Sequence, residues 1–383
     1  MKLAIVIHDI KRRGGQERST LEIVEGLSKK NECHVFASSA EGLPSNVVFH
    51  KVPILLRRPL IIKDFVFRVC ATIQTMFGRY DFIHATGASV FKADFFTMQF
   101  LHKRWNIERR RLPAPSLLRR LKENLQVTID RFSEALVISL NPNATYIAIS
   151  GQVQNDLAIC YGLKNIVTIR HGVNLEEFVP AAHDGVTEVG AARRSLGLPV
   201  QRKLLLFVGA FERKGLFFLL QSLGLNFKTF RDWDLIVIGE GPVERAKAVC
   251  SELEINDRVH FLGSKRNVAD YYAACDLFIL PSLYDPFGLV AIEALACGCP
   301  VIVSKDSGSF DLLSEGVNGW GLRDAGNVKE ITSALDVALN PSVNLANMRS
   351  AARQSVINEA WPAKITQYQN AYLAVFSKLK VQP

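Results

Sequence analysis

The sequence predicts an α/β protein made of two doubly wound domains of similar size, and three observations carry that prediction. Short apolar runs alternate with helical patterns along the whole chain, nearly every run ends in a glycine, proline or polar turn, and the alternation breaks once, around residues 180–198. Strands buried on both faces read as almost continuous apolar runs, the signature of parallel sheets covered by helices. A chain of 383 residues also exceeds what one ordinary hydrophobic core accommodates.

In the first half the expected strands are Leu3–Ile7, His34–Ala37, Phe82–His84, Ala135–Ile138, Tyr146–Ser150 and Ile166–Ile169. In the second half they are Lys203–Val208, Leu235–Ile238, Val259–Phe261, Leu277–Leu280 and Pro300–Val303. The stretch from Pro180 to Leu198 carries Ala182, His183, Asp184 and Gly185 and then a short helical pattern, with no strand. The linker is therefore placed near Val173–Pro180, giving a first domain over 1–176 and a second over 177–361. The tail from Trp361 reads as a helix with buried apolar spacing, in which Pro362 would kink or restart the helix, and it is assigned with 362–383 to the first domain. Ligands of doubly wound sheets bind outside the carboxyl ends of the strands.

Composition narrows the function classes. A hydrophobic fraction of 48% and a charged fraction of 22% describe a globular chain, and no run approaches the roughly twenty apolar residues of a membrane span. The start, MKLAIVIHDI, reads as a buried strand and not as a signal peptide. Seven cysteines without a CxxC pair argue against a disulfide framework or zinc site and for a reducing cytoplasm. The net charge of +9 is concentrated between Leu101 and Lys122, where Lys103, Arg104, Arg109, Arg110, Arg111, Arg119, Arg120 and Lys122 face one acid, Glu108. Trp105, Ile107, Leu112, Leu117, Leu118 and Leu121 are interleaved, and Pro113 and Pro115 divide the segment into two short pieces. An anionic lipid surface, an anionic saccharide and nucleic acid all suit such a segment.

Three blocks carry chemistry. In LFILPSLYDPFGLVAIEALACGCPVIVS, from Leu277, a strand is followed by the loop Asp285-Pro286-Phe287-Gly288 and a helix starting about Leu289. Gly288 permits close approach of an anion, and the N–H groups of Gly288, Leu289 and Val290 would meet phosphate oxygens at the helix's positive end. Glu293, one turn on, would accept two hydrogen bonds from ribose hydroxyls. Asp285 would point to the sugar beyond the diphosphate. In LLLFVGAFERKG, from Leu204, Arg213 and Lys214 follow a glycine-ended strand and suit a diphosphate leaving group. In Arg12-Arg13-Gly14-Gly15-Gln16-Glu17, paired glycines open the first turn after a strand, so backbone can approach a donor phosphate or an acceptor sugar.

Together these blocks resemble the retaining glycosyltransferase family 4, of the GT-B fold, in which two Rossmann-like domains face a cleft. The resemblance includes GGQER at 14–18, SGQVQNDL at 150–157, HGVN at 171–174, GAFERKG at 209–215, GEGP at 239–242 and DPFGLVAIEALACGCPVI at 285–302. It implies a nucleotide-sugar donor, with Arg213 and Lys214 on the diphosphate, Glu293 on the ribose and Asp285 on the transferred sugar. Relatives usually carry Glu-x7-Glu where this chain has Asp285-x7-Glu293, which shortens the reach of the first acid. Many also carry Thr-x-His in the first domain. Here Gln99 stands at that position, and His102, three residues on, is the substitute base to test. Glu17, Gln99 and His171 are the acceptor-side candidates, while His8 and His84 are expected to be structural.

The resemblance implies a front-face route to retention, in which the departing diphosphate takes the acceptor's proton. No acid in the first domain sits in a convincing motif for a double displacement. Cations at the diphosphate substitute for a divalent ion, so neither metal nor cofactor is expected. The first domain most resembles lipopolysaccharide core glucosyltransferases. That implies a hexose donor, UDP-linked glucose being favoured, an anionic glycolipid or saccharide acceptor, and peripheral attachment at the inner face of the cytoplasmic membrane through residues 101–122, with no nucleic-acid partner. Capsular or exopolysaccharide assembly on a lipid carrier is the alternative, as is a nucleotide-sugar epimerase. A dehydrogenase is excluded because residues 8–18 lack G-x-G-x-x-G.

Overall fold

The computed structural model describes residues 1–11, 14–54, 60–112, 117–181, 186–226 and 232–381. Its contacts divide the chain into two units, Met1–Gly172 with Trp361–Pro383, and Val173–Ala360.

The first unit holds a seven-stranded parallel sheet. In chain order its strands are β1 (Lys2–Val6), β2 (Glu32–Ala37), β3 (Val48–Lys51), β4 (Phe82–Thr86), β5 (Phe95–Met98), β6 (Thr145–Ala148) and β7 (Ile166–Thr168). They lie in the order β3-β2-β1-β4-β5-β6-β7, so the winding reverses between β1 and β4. Leu3, Ile5, Val35, Phe82, Phe95 and Ile147 form the core beneath the helices. The helix Trp361–Val381 returns to this unit and packs on the helix Gly15–Leu27. Ile365 sits against Gly26, and Tyr368 and Tyr372 are buried beside Phe82 and His84. Pro362 stands at the second position of that helix, where its missing N–H costs no intrahelical bond, so it opens the helix without kinking it.

The second unit holds six parallel strands: β8 (Lys203–Val208), β9 (Trp233–Ile238), β10 (Val259–Gly263), β11 (Leu277–Leu280), β12 (Val301–Ser304) and β13 (Gly319–Leu322). Their order, β10-β9-β8-β11-β12-β13, is that of a dinucleotide-binding Rossmann sheet, with its switch point between β8 and β11. Leu205, Phe207, Leu219, Leu220, Trp233, Leu235 and Ile279 fill its core.

The structure departs from the sequence-based expectations in several places. Ala135–Ile138 is not a strand but lies in the helix Leu117–Leu140, with Val137 and Ile138 buried and Ala135 exposed. A four-residue apolar run has the same composition in either element, and only its surroundings choose. Among the described residues three strands of the two main sheets were not expected, nor was the small parallel pair Asp9–Ile10 and Ser39–Ala40. Val48–Lys51 is an edge strand on which Val48 and Phe49 are exposed, Phe95–Met98 lies in the stretch read for its Thr-x-Gln pattern, and Gly319–Leu322 is interrupted by glycine. The basic segment is not two short pieces, because its second half begins a helix of 24 residues. Pro113 and Pro115, and Ala182–Gly185 of the strand-free break after the expected linker, lie outside the described residues, as do the side chains of Leu117, Leu118 and Arg119.

Candidate active site

The donor-side residues converge at the switch point of the second sheet. The chain leaves β8 at Gly209 and turns at Gly215, which has φ +81°. A Cβ there would lie 1.9 Å from the carbonyl oxygen of Pro281, so only glycine lets the turn after β8 close against the end of β11. That closure sets Arg213 and Lys214 beside the loop after β11. Arg213 donates from Nη1 to the Tyr284 carbonyl at 2.9 Å and accepts at its own carbonyl from Leu283 N–H at 3.2 Å.

Lys214 is buried, and its Nζ lies 3.1 Å from Asp285 Oδ2, with Arg213 Nη1 3.9 Å from Asp285 Oδ1. The Lys214 contact is an ion pair by distance, although Oδ2 receives no well-directed hydrogen bond. Burial lowers the Lys214 ammonium below its ordinary value, with Asp285 opposing. Burial alone would raise the Asp285 carboxyl, but Lys214 and Arg213 outweigh it and hold the group below the usual carboxylate range. Asp285 is therefore ionised at neutral pH.

Gly288 caps the helix Leu289–Ala296 in the left-handed conformation, φ 75°. A Cβ there would meet Ser307 Oγ at 2.3 Å and Ser309 Oγ at 2.8 Å, two buried hydroxyls 2.7 Å apart. Backbone bonds from Asp285 N–H to the Asp306 carbonyl and from Gly308 N–H to the Asp285 carbonyl, both 2.9 Å, join these loops. Phe287 is buried in the same turn. Glu293, 4% exposed, accepts from the Tyr272 hydroxyl at 3.3 Å and faces Lys214 electrostatically.

Arg213, Lys214, Asp285, Phe287, Gly288, Leu289, Val290 and Glu293 are thus brought together, with two contacts that the sequence did not predict. The Gly288 N–H, expected to meet phosphate, donates to Asp285 Oδ1 at 3.2 Å. Asp285, expected to point to the sugar, is turned to the cations and this N–H. Tyr272, Ser307 and Ser309 were not anticipated. The only available signal was the glycine-serine turn after β12, which is too common to single them out.

In the first unit Gly14 caps the helix Gly15–Leu27, but Glu17 folds back over it, and a Cβ at Gly14 would lie 2.3 Å from Glu17 Oε2. A carboxylate thus occupies the approach expected for phosphate or acceptor, as helix N-termini favour. Arg12 and Arg13 lie outside the described residues. Gln99 is buried at the end of β5 and donates to Thr20 Oγ1 at 3.3 Å, while its Oε1 has no hydrogen-bond partner. His171 is buried against Trp361, ring centroids 5.9 Å apart, and burial, with Arg18 adding to it, lowers its pKa to about 3. His84 is bound by Tyr372 and by Thr97 Oγ1 at 2.7 Å, as a structural histidine should be, and burial lowers it to about 3. His8 pairs with Asp9 at 2.8 Å and stacks on Phe67.

His102 starts the helix His102–Glu108, whose first N–H groups, from His102 and Lys103, are capped by buried Glu134 at 2.9 and 3.4 Å. The His102 ring lies 3.8 Å from Asp130. The basic segment is largely engaged within its own unit. Lys103 binds the Cys160 carbonyl, Arg104 pairs with Glu108 at 2.8 Å, Arg111 pairs with Glu108 at 3.4 Å, and Arg109 binds Asn106 and Asn124. Arg110, Arg120 and Lys122 remain exposed. Beside them Leu121, Leu125 and Phe132 are 58%, 59% and 70% exposed, at positions that fall on one helix face. No described helix is long and apolar enough to cross a membrane.

Residues 13–177 match the model of Glycosyltransferase Family 4, and residues 189–355 match that of Glycosyl transferases group 1. The chain belongs to glycosyltransferase family 4. This family 4 glycosyltransferase is 34% identical over 197 residues to a D-inositol 3-phosphate glycosyltransferase of Xylanimonas cellulosilytica, a match spanning 49% of this chain and 44% of that relative. The chain thus spans less than half the length of that curated relative. Its fold resembles that of WaaG, a glycosyltransferase involved in lipopolysaccharide biosynthesis, with a TM-score of 0.80 at 18% identity, over 97% of this chain and 99% of that one. It also resembles Anabaena HepE, solved with UDP and glucose, with a TM-score of 0.68 at 20% identity, over 98% and 99%. At such identities the likeness establishes the GT-B fold alone.

Proposed function

We propose that the chain transfers a hexosyl group, glucose in the first instance, from a UDP-sugar to a saccharide of a cell-surface glycolipid of the lipopolysaccharide-core kind, with retention and without a metal. The observation that carries this reading is the cluster of Arg213, Lys214 and the helix start at Gly288, with Glu293 one turn along, at the switch point of a Rossmann sheet. Two cations and a helix N-terminus suit a diphosphate, and a buried carboxylate suits ribose hydroxyls. The structural neighbours WaaG and HepE motivate the choice of pathway and donor.

The bond from the anomeric carbon to the diphosphate oxygen breaks, and its electron pair stays on the phosphate. Arg213 and Lys214 stabilise that charge. The acceptor oxygen bonds to the same face of the sugar, and its proton passes to the departing phosphate.

A thermal-shift screen against UDP-, GDP- and ADP-sugars, with and without EDTA, tests the reading. UDP-glucose is expected to stabilise the protein equally in both conditions, and Glu293→Ala to weaken that binding about tenfold, the scale of a lost hydrogen bond to a charged group. Stabilisation that needs Mg²⁺ or Mn²⁺, or none with any donor, would overturn it. Conversion of UDP-GlcNAc with no acceptor present would favour the epimerase alternative.

Peripheral membrane attachment belongs to the same reading. The exposed stripe Leu121, Leu125 and Phe132, with exposed Arg120 and Lys122 on either side of Leu121, supports it better than the cations already paired within the unit. Vesicles containing phosphatidylglycerol are expected to sediment the protein and neutral vesicles not to, with release by salt. Leu125→Glu with Phe132→Glu should abolish the effect while sparing donor binding. Equal binding to neutral lipid, or none to anionic lipid, would rule the attachment out and leave a soluble anionic acceptor as the role of the segment.

A further inference from the structure

We propose that Asp285 is a resident anion at the diphosphate position and discriminates against the nucleoside diphosphate product. The inference rests on the reading of Arg213, Lys214 and the helix start as the diphosphate site. Asp285 already engages both cations and one of the three helix-start N–H groups that reading assigns to phosphate. Lys214 Nζ lies 3.1 Å away, Arg213 Nη1 3.9 Å, and the Gly288 N–H donates to it at 3.2 Å. A carboxylate held by two cations and the first N–H of a helix has the partners a phosphate would have.

The hold is incomplete. Asp285 Oδ2 is buried without a well-directed hydrogen bond, so an incoming phosphate oxygen gives Lys214 a better acceptor than the one it leaves. Asp285 itself stays nearby, because backbone bonds to Asp306 and Gly308 fix its main chain.

The consequence lies in charge. A nucleotide-sugar carries two negative charges on its diphosphate, whereas the released nucleoside diphosphate carries about three near neutral pH. Arg213 and Lys214 are offset in part by Asp285 and in part by Glu293, which faces Lys214. The additional charge of the product therefore meets a nearby carboxylate in a site with little net positive charge to spare. Asp285 disfavours product more than donor, which assists release, a step that limits turnover in many transferases.

The test is calorimetric titration of the full chain and of Asp285→Asn with UDP, GDP and ADP, with their glucose conjugates, and with inorganic pyrophosphate. Pyrophosphate needs no base recognition. Asp285→Asn should bind pyrophosphate and the accepted nucleoside diphosphate at least about tenfold more tightly than the unaltered chain, the scale of removing one partly screened charge. The matching nucleotide-sugar should gain less. In the unaltered chain the nucleotide-sugar should bind at least as tightly as its diphosphate, a comparison that stands even if the variant does not fold.

A folded Asp285→Asn protein with unchanged or weaker diphosphate binding overturns the proposal, and so does an unaltered chain that prefers the diphosphate. Weaker nucleotide-sugar binding with unchanged diphosphate binding would return Asp285 to a sugar contact. If neither protein binds any diphosphate, the donor-site reading falls and takes the proposal with it.

Discussion

Replacing Lys214 with alanine is expected to lower turnover about 10²–10³-fold, the scale of one electrostatic donor lost from a leaving-group site, while donor affinity falls much less. Negative charge on the diphosphate grows as the glycosidic bond breaks, so a buried ammonium contributes more to the transition state than to the bound donor. Lys214 is 8% exposed, which keeps its field from being screened. The same burial brings a stability cost that must be separated from the chemistry. Removing one member of a buried ion pair costs about 3–5 kcal/mol, and Lys214→Ala leaves Asp285 with Arg213 at 3.9 Å. Lys214→Met combined with Asp285→Asn removes both charges and should recover much of the thermal stability without recovering turnover. Donor titration beside steady-state kinetics decides the matter. A weaker donor Kd with kcat unchanged would mean that Lys214 only attracts the donor.

The first unit is expected to be acid-labile well above the pH at which its carboxylates protonate. His84 and His171 are buried neutral, with pKa values lowered to about 3 by burial and, for His171, by Arg18. In the unfolded chain each titrates near 6.5. Between those values the unfolded state holds one more proton per histidine than the folded state, so stability falls as pH falls. The slope approaches about 1.4 kcal/mol per pH unit for each histidine and flattens near the folded value. Two such groups amount to about 5 kcal/mol by two units below 6.5, a large part of an ordinary domain's stability. Urea unfolding at pH 7.5, 6.0 and 5.0 measures it. His84→Gln retains a partner for Thr97 and Tyr372 and should roughly halve the slope, so an unchanged slope would refute the assignment.

Much of the fold was legible in the chain itself. Leu3–Ile7, Lys203–Val208 and Leu277–Leu280 are apolar because parallel strands are covered on both faces, and that requirement is written into every residue of the run. The grouping of residues proposed as the donor site was legible for a related reason. A glycine after a strand and a helix starting at Leu289 are local features, and helix N-termini bind anions wherever they occur. Arg213, Lys214 and Glu293 could thus be named as donor-site candidates before any contact was known.

What the tertiary structure decided was which groups are already engaged. Asp285 and Lys214 are far apart in sequence, and whether that carboxylate meets a sugar or an ammonium depends on the closure of Gly215 against Pro281. Glu134 caps the helix at His102 from another element, and Glu108 takes up Arg104 and Arg111, so a run of cations that reads as free is partly neutralised. Ala135–Ile138 became helix for the same kind of reason, since a short apolar run takes its conformation from what covers it. Sequence carries periodicity and local backbone preference. The pairing of charges and the satisfaction of buried polar atoms depend on distances between residues that only folding brings together.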